Sequence, residues 1–86
     1  KFTTVPDWVC EVISPSSESI DWEIKKPLYA TYGVKYLWMV DPRKRRVWAF
    51  RLKDGNWDAL GEFGEQDVIV VEPFEALSIK VSDVME

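Results

Sequence analysis

The sequence predicts a mixed α/β fold in which one βαβ unit is followed by antiparallel strands. Three features of the 86-residue chain support this prediction. A short apolar run rich in β-branched residues precedes a helical segment, and a second continuous apolar run follows it. A strand, a helix and a strand in this order normally form a right-handed parallel unit. Further along, an Asp-Gly pair separates two strand-like segments and is the strongest short hairpin signal in the chain.

The first two predicted elements are a strand and a helix. Residues 6–14 (PDWVCEVIS) predict a buried strand that ends before Pro15, and the serines around that proline form a turn that offers helix caps. Within residues 18–32, an apolar side chain recurs every four positions, which gives one stripe along a helix. The stripe consists of Ile20, Ile24, Leu28 and Tyr32. Gly33 suits the end of this helix, whereas Pro27 predicts a kink or a restart within it.

The rest of the chain predicts further strands and a short final turn. The predicted strands are residues 36–40, 46–52, 57–63 and 67–71. The Asp-Gly hairpin joins the second and third of these. Residues 73–79 are expected to lead the chain back across the sheet, and Ser82 with Asp83 to cap a final turn. Because no repeat or linker interrupts the pattern, we expect residues 1–86 to form a single domain.

Composition excludes several classes of chemistry. The chain contains no histidine, which excludes Ser-His-Asp and Cys-His catalysis and the usual His-containing zinc sites. A net charge of −4 argues against broad, non-specific nucleic-acid binding, which depends on phosphate neutralisation. Cys10 is predicted to be a small buried apolar residue, and a single cysteine suits a reducing cytoplasm. No apolar stretch approaches the roughly 20 residues that span a bilayer, so no membrane association is expected.

Glu11 is the first candidate for chemistry, because it interrupts an apolar strand. One face of that strand is predicted to carry Asp7, Val9, Glu11 and Ile13. A buried carboxylate is costly without a partner, so Glu11 either forms a structural salt bridge with Lys25 or Lys26 or lies beside a cation site. A crossover helix lies across the sheet, which would allow Lys25 to reach Glu11. Together they suit phosphodiester hydrolysis, in which a carboxylate holds a divalent ion and a lysine stabilises developing charge.

Several linked motifs resemble the Uma-two family, a large bacterial family of endonucleases with the restriction-endonuclease-like, or PD-(D/E)XK, fold. The similarity is carried by residues 6–17 (PDWVCEVISPSS), 27–30 (PLYA), 33–42 (GVKYLWMVDP), 71–77 (VEPFEAL) and 81–84 (VSDV), with Asp21 and Lys25 between the first two. The resemblance implies a metal-dependent endonuclease that acts on DNA and uses Mg²⁺ or Mn²⁺. It makes Glu11 the acidic, metal-binding catalytic residue. Ile13 stands where the usual lysine would follow, so Lys25 is expected to replace that lysine in space.

The residues around this pair also have expected roles. We expect Asp7 to be structural or to support the site without binding metal. Ser14 and Asp21 are expected to act at the start of the helix. Tyr29 and Trp38 are expected to belong to the core rather than to a substrate platform.

The length of the chain departs from the family pattern. Family members are about twice as long, and their N-terminal part supplies a helix and an earlier strand with the first metal-binding aspartate. We therefore expect this chain to lack that part of the fold, which would weaken metal binding by Glu11 and leave one sheet edge open to self-association, for example as a homodimer.

Three functional hypotheses remain open at this point. The first is an endonuclease, or a fragment of one that needs its other half or a partner chain. The second is a degenerate, non-catalytic relative that acts as a dimerisation module. The third is a nucleic-acid or peptide binding module that uses the basic residues 43–46 with exposed members of a tryptophan set. That set is Trp8, Trp22, Trp48 and Trp57.

Overall fold

The computed structural model describes residues 4–85, which form a four-stranded mixed sheet and a helical crossover. The residues after the sheet, 64–85, form a small C-terminal subdomain. The strands are β1 (Trp8–Val12), β2 (Tyr36–Asp41), β3 (Arg46–Lys53), β4 (Asn56–Phe63), β5 (Val68–Ile69) and β6 (Ile79–Lys80). The helical segments are α1 (Glu18–Ile20), a π-helix (Asp21–Lys25), α2 (Lys26–Tyr32) and α3 (Val81–Val84). No helix among the described residues is long and apolar enough to cross a membrane.

The main sheet has the strand order β1-β2-β3-β4. Strands β1 and β2 run parallel, with Glu11 opposite Met39, and the helical crossover joins them. The remaining pairs, β2 with β3 and β3 with β4, are antiparallel. This arrangement confirms the predicted βαβ unit followed by antiparallel strands. Within the described residues β1 pairs only with β2, so its other edge offers unpaired backbone groups.

The predicted Asp-Gly hairpin joins β3 to β4. Asp54 and Gly55 both adopt positive φ, at 52° and 80°, as a two-residue primed turn requires. Such a turn matches the right-handed twist of the flanking strands, and Asp-Gly suits it because both residues tolerate the left-handed region better than most. The hairpin prediction is therefore confirmed.

Replacing Gly55 by alanine is expected to destabilise the fold by about 1–2 kcal/mol, because an L side chain is strained in the left-handed region. A Cβ at Gly55 would meet no atom within 4 Å, so the cost comes from the backbone and not from a clash. Urea unfolding measures the change. Gly64→Ala is the matched control, since its added Cβ would make only ordinary contacts, the nearest at 3.6 Å, and its φ is not positive. An equal loss in both variants would contradict the argument.

Apolar side chains pack on both faces of the sheet. On one face, Trp38, Val40, Val47 and Ala49 pack against the C-terminal subdomain. On the other face, Leu37 and Met39 are fully buried beneath the helical crossover. Trp22 of the crossover contacts Trp48 edge-on, with ring centroids 5.1 Å apart. Each Trp-to-aromatic contact of this geometry adds ~0.5–1.5 kcal/mol beyond burial.

The crossover is helical throughout, but its apolar stripe faces away from the sheet. Ile20, Ile24, Leu28 and Tyr32 are 42–60% exposed. The row one position along the helix faces inwards instead, and it consists of Asp21, Lys25 and Tyr29. This orientation packs Trp22 against the core and brings Lys25 and Tyr29 to Glu11, which would otherwise lack partners. The helix also passes through Pro27 without ending, because that proline lies in the first turn of α2, just after the π-helix.

Three predictions about the periphery are wrong. Strand β5 covers only Val68–Ile69 and pairs with β6 in a separate two-stranded sheet. Ser82 and Asp83 do not cap α3, because they lie inside it and Lys80 occupies the cap position. Cys10 is exposed, because β1 is an edge strand and the C-terminal subdomain leaves an apolar depression beside it.

Candidate active site

Glu11 lies at the centre of the candidate site, on the face of β1 that the crossover covers. Its side chain is only 14% exposed, so both carboxylate oxygens need partners. The Tyr29 hydroxyl donates a hydrogen bond to Oε1 at 2.6 Å. The Lys25 ammonium approaches Oε2 at 3.4 Å. The structure therefore brings the two predicted catalytic residues together, and it shows that a tyrosine joins them.

Lys25 bridges two carboxylates. Its Nζ lies 3.4 Å from Glu11 Oε2 and 3.3 Å from Asp21 Oδ1, and its side chain is 42% exposed. The Asp21 carboxylate, followed by that of Glu11, raises the pKa of Lys25 above its ordinary value. Lys25 therefore stays cationic, and solvent or a ligand reaches it from one side. Lys26, the alternative partner for Glu11, instead places its ammonium 4.3 Å from the centre of the Phe50 ring.

Asp21 contributes more than a helix start, which corrects the expectation from the sequence. It is fully buried, an unusual position for a carboxylate. The Ser17 hydroxyl donates a hydrogen bond to its Oδ2 at 2.8 Å, and Oδ1 faces the Lys25 ammonium. Ser14 stays at the helix start as expected, and its hydroxyl lies 2.8 Å from that of Ser17. A polar chain thus leads from the turn after β1 to the site.

Three other residues for which the sequence predicts a role are Tyr29, Trp38 and Asp7. Tyr29 packs against the core as expected, and its hydroxyl also reaches the site. Trp38 is 3% exposed and packs in the core, as expected. Asp7 is exposed and lies 3.8 Å from Lys35, and it makes no contact with the Glu11 cluster. The signal that identifies Asp21 and Tyr29 is their four-residue spacing from Lys25, which places all three side chains in one row of the helix.

The π-helix helps to present this row. Asp21–Lys25 forms i→i+5 backbone bonds, as in the bond from the Lys26 N–H to the Asp21 carbonyl. Single π turns occur often at functional sites, because they shift the positions of side chains relative to a regular α-helix. The next turn contains Pro27, which cannot donate a backbone hydrogen bond. The Lys26 carbonyl accepts a hydrogen bond from the Trp57 indole at 2.8 Å, which fixes the helix on β4.

The site offers limited ligands for a metal ion. No group of three or more Asp, Glu, His or Cys side chains that could hold an ion occurs within residues 4–85. Glu11 supplies one carboxylate, and Asp21 lies behind Lys25. Mg²⁺ usually keeps several waters and binds through one or two carboxylates and substrate phosphates. A divalent ion here would therefore have Glu11 as its carboxylate ligand and would need water or phosphate oxygens for its other positions.

The basic turn after β2 does not form a free cationic patch. Lys44, Arg45 and Arg46 each lie within 3.5 Å of a carboxylate oxygen, on Glu18, Glu65 and Glu62 respectively. These pairs neutralise most of the local charge. The tryptophans proposed as stacking platforms are all partly buried in packing contacts. This turn therefore gives no support to the nucleic-acid or peptide binding hypothesis.

The Tyr29–Glu11 hydrogen bond predicts a dependence of stability on alkaline pH. Burial and then the hydrogen bond to Glu11 raise the pKa of Tyr29 to about 12, from an ordinary value of 10.0. A raised pKa means that the neutral phenol stabilises the native state fully below pH 10 and that this contribution is lost as pH rises through about 12. The free energy of unfolding should therefore fall less steeply over this range in Tyr29→Phe than in the parent.

Denaturant unfolding at a series of alkaline pH values measures this difference. Tyr32→Phe is the control, because Tyr32 is 58% exposed. If both variants lose stability with pH as the parent does, Tyr29 does not hold its proton in the way described.

Two comparisons with known proteins bear on this site. Residues 1–82 match the Uma2 family, described as "Putative restriction endonuclease". A crystal structure from Anabaena variabilis ATCC 29413, described as "a putative nuclease belonging to DUF820", has a TM-score of 0.73 and 23% sequence identity to this chain. That match covers 98% of this chain and 46% of the other, so the chain spans less than half of its neighbour's length. The comparison with curated proteins gave no match.

The structural likeness establishes the fold. At 23% identity and a TM-score of 0.73, it confirms the restriction-endonuclease-like architecture predicted from the motifs. The family match extends over all elements from β1 to β6.

Proposed function

Since the chain belongs to the Uma2 family of restriction-endonuclease-like proteins, we propose that it is a metal-dependent endonuclease that hydrolyses phosphodiester bonds of DNA. The observation that carries the proposal is the contact between Lys25 and Glu11, at 3.4 Å on an open side of the fold. A carboxylate and a lysine in contact are the pair that this chemistry needs, and here they come from different elements, β1 and the crossover helix.

Glu11 is the proposed ligand for Mg²⁺ or Mn²⁺. A bound divalent ion would neutralise phosphate charge and lower the pKa of a water molecule. Glu11 is suited to hold it because the Tyr29 hydroxyl fixes one oxygen and leaves the other on the side of Lys25. With one carboxylate directly available, we expect weak metal binding that strengthens when DNA supplies phosphate oxygens.

Lys25 is the proposed stabiliser of charge on the phosphate. Its ammonium is held cationic by two carboxylates, while 42% of its side chain remains exposed to a ligand. A phosphate next to Glu11 would place developing negative charge beside this cation. Preorganised cations of this kind lower the barrier because they need no rearrangement during the reaction.

The substrate and metal dependence are tested by incubating supercoiled plasmid and, separately, a single-stranded RNA with the chain in Mg²⁺, Mn²⁺ or EDTA. The proposal predicts nicking of the plasmid that requires the metal. Cleavage of RNA alone would show the wrong substrate, and cleavage in EDTA would exclude a metal-dependent reaction.

A second candidate function is a non-catalytic dimerisation module, and one observation favours it. The outer stripe of the crossover is 42–60% exposed, and Val5 nearby is 45% exposed. Together with the unpaired edge of β1, this makes an apolar surface next to a backbone that can pair with another strand.

Sedimentation equilibrium of the parent and of Ile24→Lys tests the second candidate. Ile24 is 60% exposed, so the change should leave the fold intact. The module hypothesis predicts a dimer in the parent that the substitution disrupts. A parent that stays monomeric at high micromolar concentration would exclude it.

A further inference from the structure

We infer that Asp21 is a positioning residue that holds the Lys25 ammonium against Glu11. This inference deepens the proposed function and rests on it, because it adds a residue to the same site. Asp21 does not need to touch the substrate for this role. It acts through Lys25, whose ammonium it contacts at 3.3 Å while Glu11 contacts the same ammonium at 3.4 Å.

The burial of Asp21 is the first argument. Its carboxylate is fully buried, and burying a charge costs several kcal/mol unless the charge is paired. Oδ2 accepts the Ser17 hydrogen bond at 2.8 Å, whereas Oδ1 receives no hydrogen bond and faces Lys25 Nζ at 3.3 Å. A residue that only started the helix would need one side-chain oxygen near the first turn, a role that a neutral serine side chain can fill without burying a charge.

The freedom of Lys25 is the second argument. Its side chain is 42% exposed, and its contact with Glu11 is long, at 3.4 Å, compared with ~2.7–2.9 Å for a strong charged hydrogen bond. One long contact does not fix a flexible four-carbon side chain, whose ordering costs up to ~2 kcal/mol. A second carboxylate, that of Asp21 at 3.3 Å, restricts the ammonium further. Because Asp21 is fully buried in the crossover, the carboxylate that restricts the Lys25 ammonium is part of the packed helix and not a mobile surface side chain.

The arrangement also explains the four-residue spacing. Asp21 and Lys25 are at i and i+4 on the same segment, so their contact is set by the helix itself. Glu11 comes from β1, on a different part of the chain. The contact with Asp21 within the helix thus sets the position of the ammonium, and that position allows the contact with Glu11 on β1.

The test is the mobility of the Lys25 ammonium, measured as the NMR order parameter of its Nζ. The variants are Asp21→Asn, which keeps the size of the side chain and an acceptor for Ser17, and Glu23→Gln, which removes one charge from an exposed position on the same segment. The ammonium of exposed Lys53 provides the internal reference for a free side chain. We expect the order parameter of Lys25 to fall to that of Lys53 in Asp21→Asn and to stay at the parent value in Glu23→Gln.

Cleavage supplies the second measurement. Asp21→Asn should lower kcat by about tenfold or more with little change in KM, because Lys25 remains present but is no longer held. If Asp21→Asn fails to fold, Ser17→Ala takes its place, since it removes the bond that orients Asp21. An ordered Lys25 in a folded Asp21→Asn or Ser17→Ala variant overturns the inference. The mobility result does not depend on activity, so a parent without cleavage would refute the proposed function while leaving the positioning role to be judged by NMR.

Discussion

Glu11→Gln should abolish binding of Mn²⁺ while leaving the protein folded. Glutamine has nearly the same size and still accepts the Tyr29 hydrogen bond, but it lacks the charge that a divalent ion needs. Lys25 keeps Asp21 as its partner, so no buried cation is left unpaired. Isothermal titration with Mn²⁺ gives the affinity, and thermal unfolding checks the fold.

The matched control for this prediction is Glu62→Gln. Glu62 is an exposed carboxylate that pairs with Arg46 and lies on β4, at the opposite edge of the sheet from β1 and Glu11. We expect its Mn²⁺ affinity to equal that of the parent. Unchanged affinity in Glu11→Gln would show that the ion, if bound at all, is held elsewhere.

Lys25→Ala should reduce DNA cleavage by about 10²- to 10³-fold, the range found when one electrostatic stabiliser of a transition state is removed. The variant also leaves the buried Asp21 carboxylate without its cation, so some loss of stability is expected. Activity must therefore be measured at a temperature well below unfolding, with urea unfolding recorded in parallel.

Two further variants separate the catalytic effect from the structural one. Lys25→Arg keeps a cation between the carboxylates and should recover much of the stability, but less of the activity, because the guanidinium differs in shape. Lys35→Ala removes a 71%-exposed lysine and should change neither quantity. If Lys25→Ala loses activity only in proportion to its loss of folded protein, Lys25 is structural.

The strand pattern and the turn chemistry were predictable because they depend on short-range rules. Apolar runs on either side of a helical segment specify the parallel pair β1 and β2, and Asp54-Gly55 specifies the hairpin. The approach of Lys25 to Glu11 also followed from these rules. Strand alternation places Glu11 on one face, and the crossover helix covers that face.

The orientation of the helix was not predictable, and the roles of Asp21 and Tyr29 depended on it. The outward apolar stripe and the inward polar row are each spaced by four residues, and they differ by one position, a rotation of about 100°. Hydrophobic periodicity favours the stripe as the buried face. The structure instead packs Trp22 against Trp48 and supplies Glu11 with partners, a long-range requirement that no local pattern records.

The exposed positions on β1 and the crossover have the same physical origin. Cys10 and the stripe residue Ile24 look apolar in sequence and would normally be covered. Ile24 lies on the outer face of the crossover and Cys10 lies on the edge strand β1, so the described residues leave both exposed. The chain also spans 46% of its structural neighbour. A local pattern indicates that a surface is apolar, but it does not indicate which segment covers it.

The most direct test of the active-site assignment compares cleavage of supercoiled plasmid by the parent and by Glu11→Gln, at equal concentration in Mn²⁺. If Glu11 holds the metal, we expect nicked and linear DNA with the parent and intact plasmid with the variant. Equal cleavage by both proteins would contradict it, because Glu11 would then be a structural partner of Lys25 and Tyr29 and not the metal-binding carboxylate.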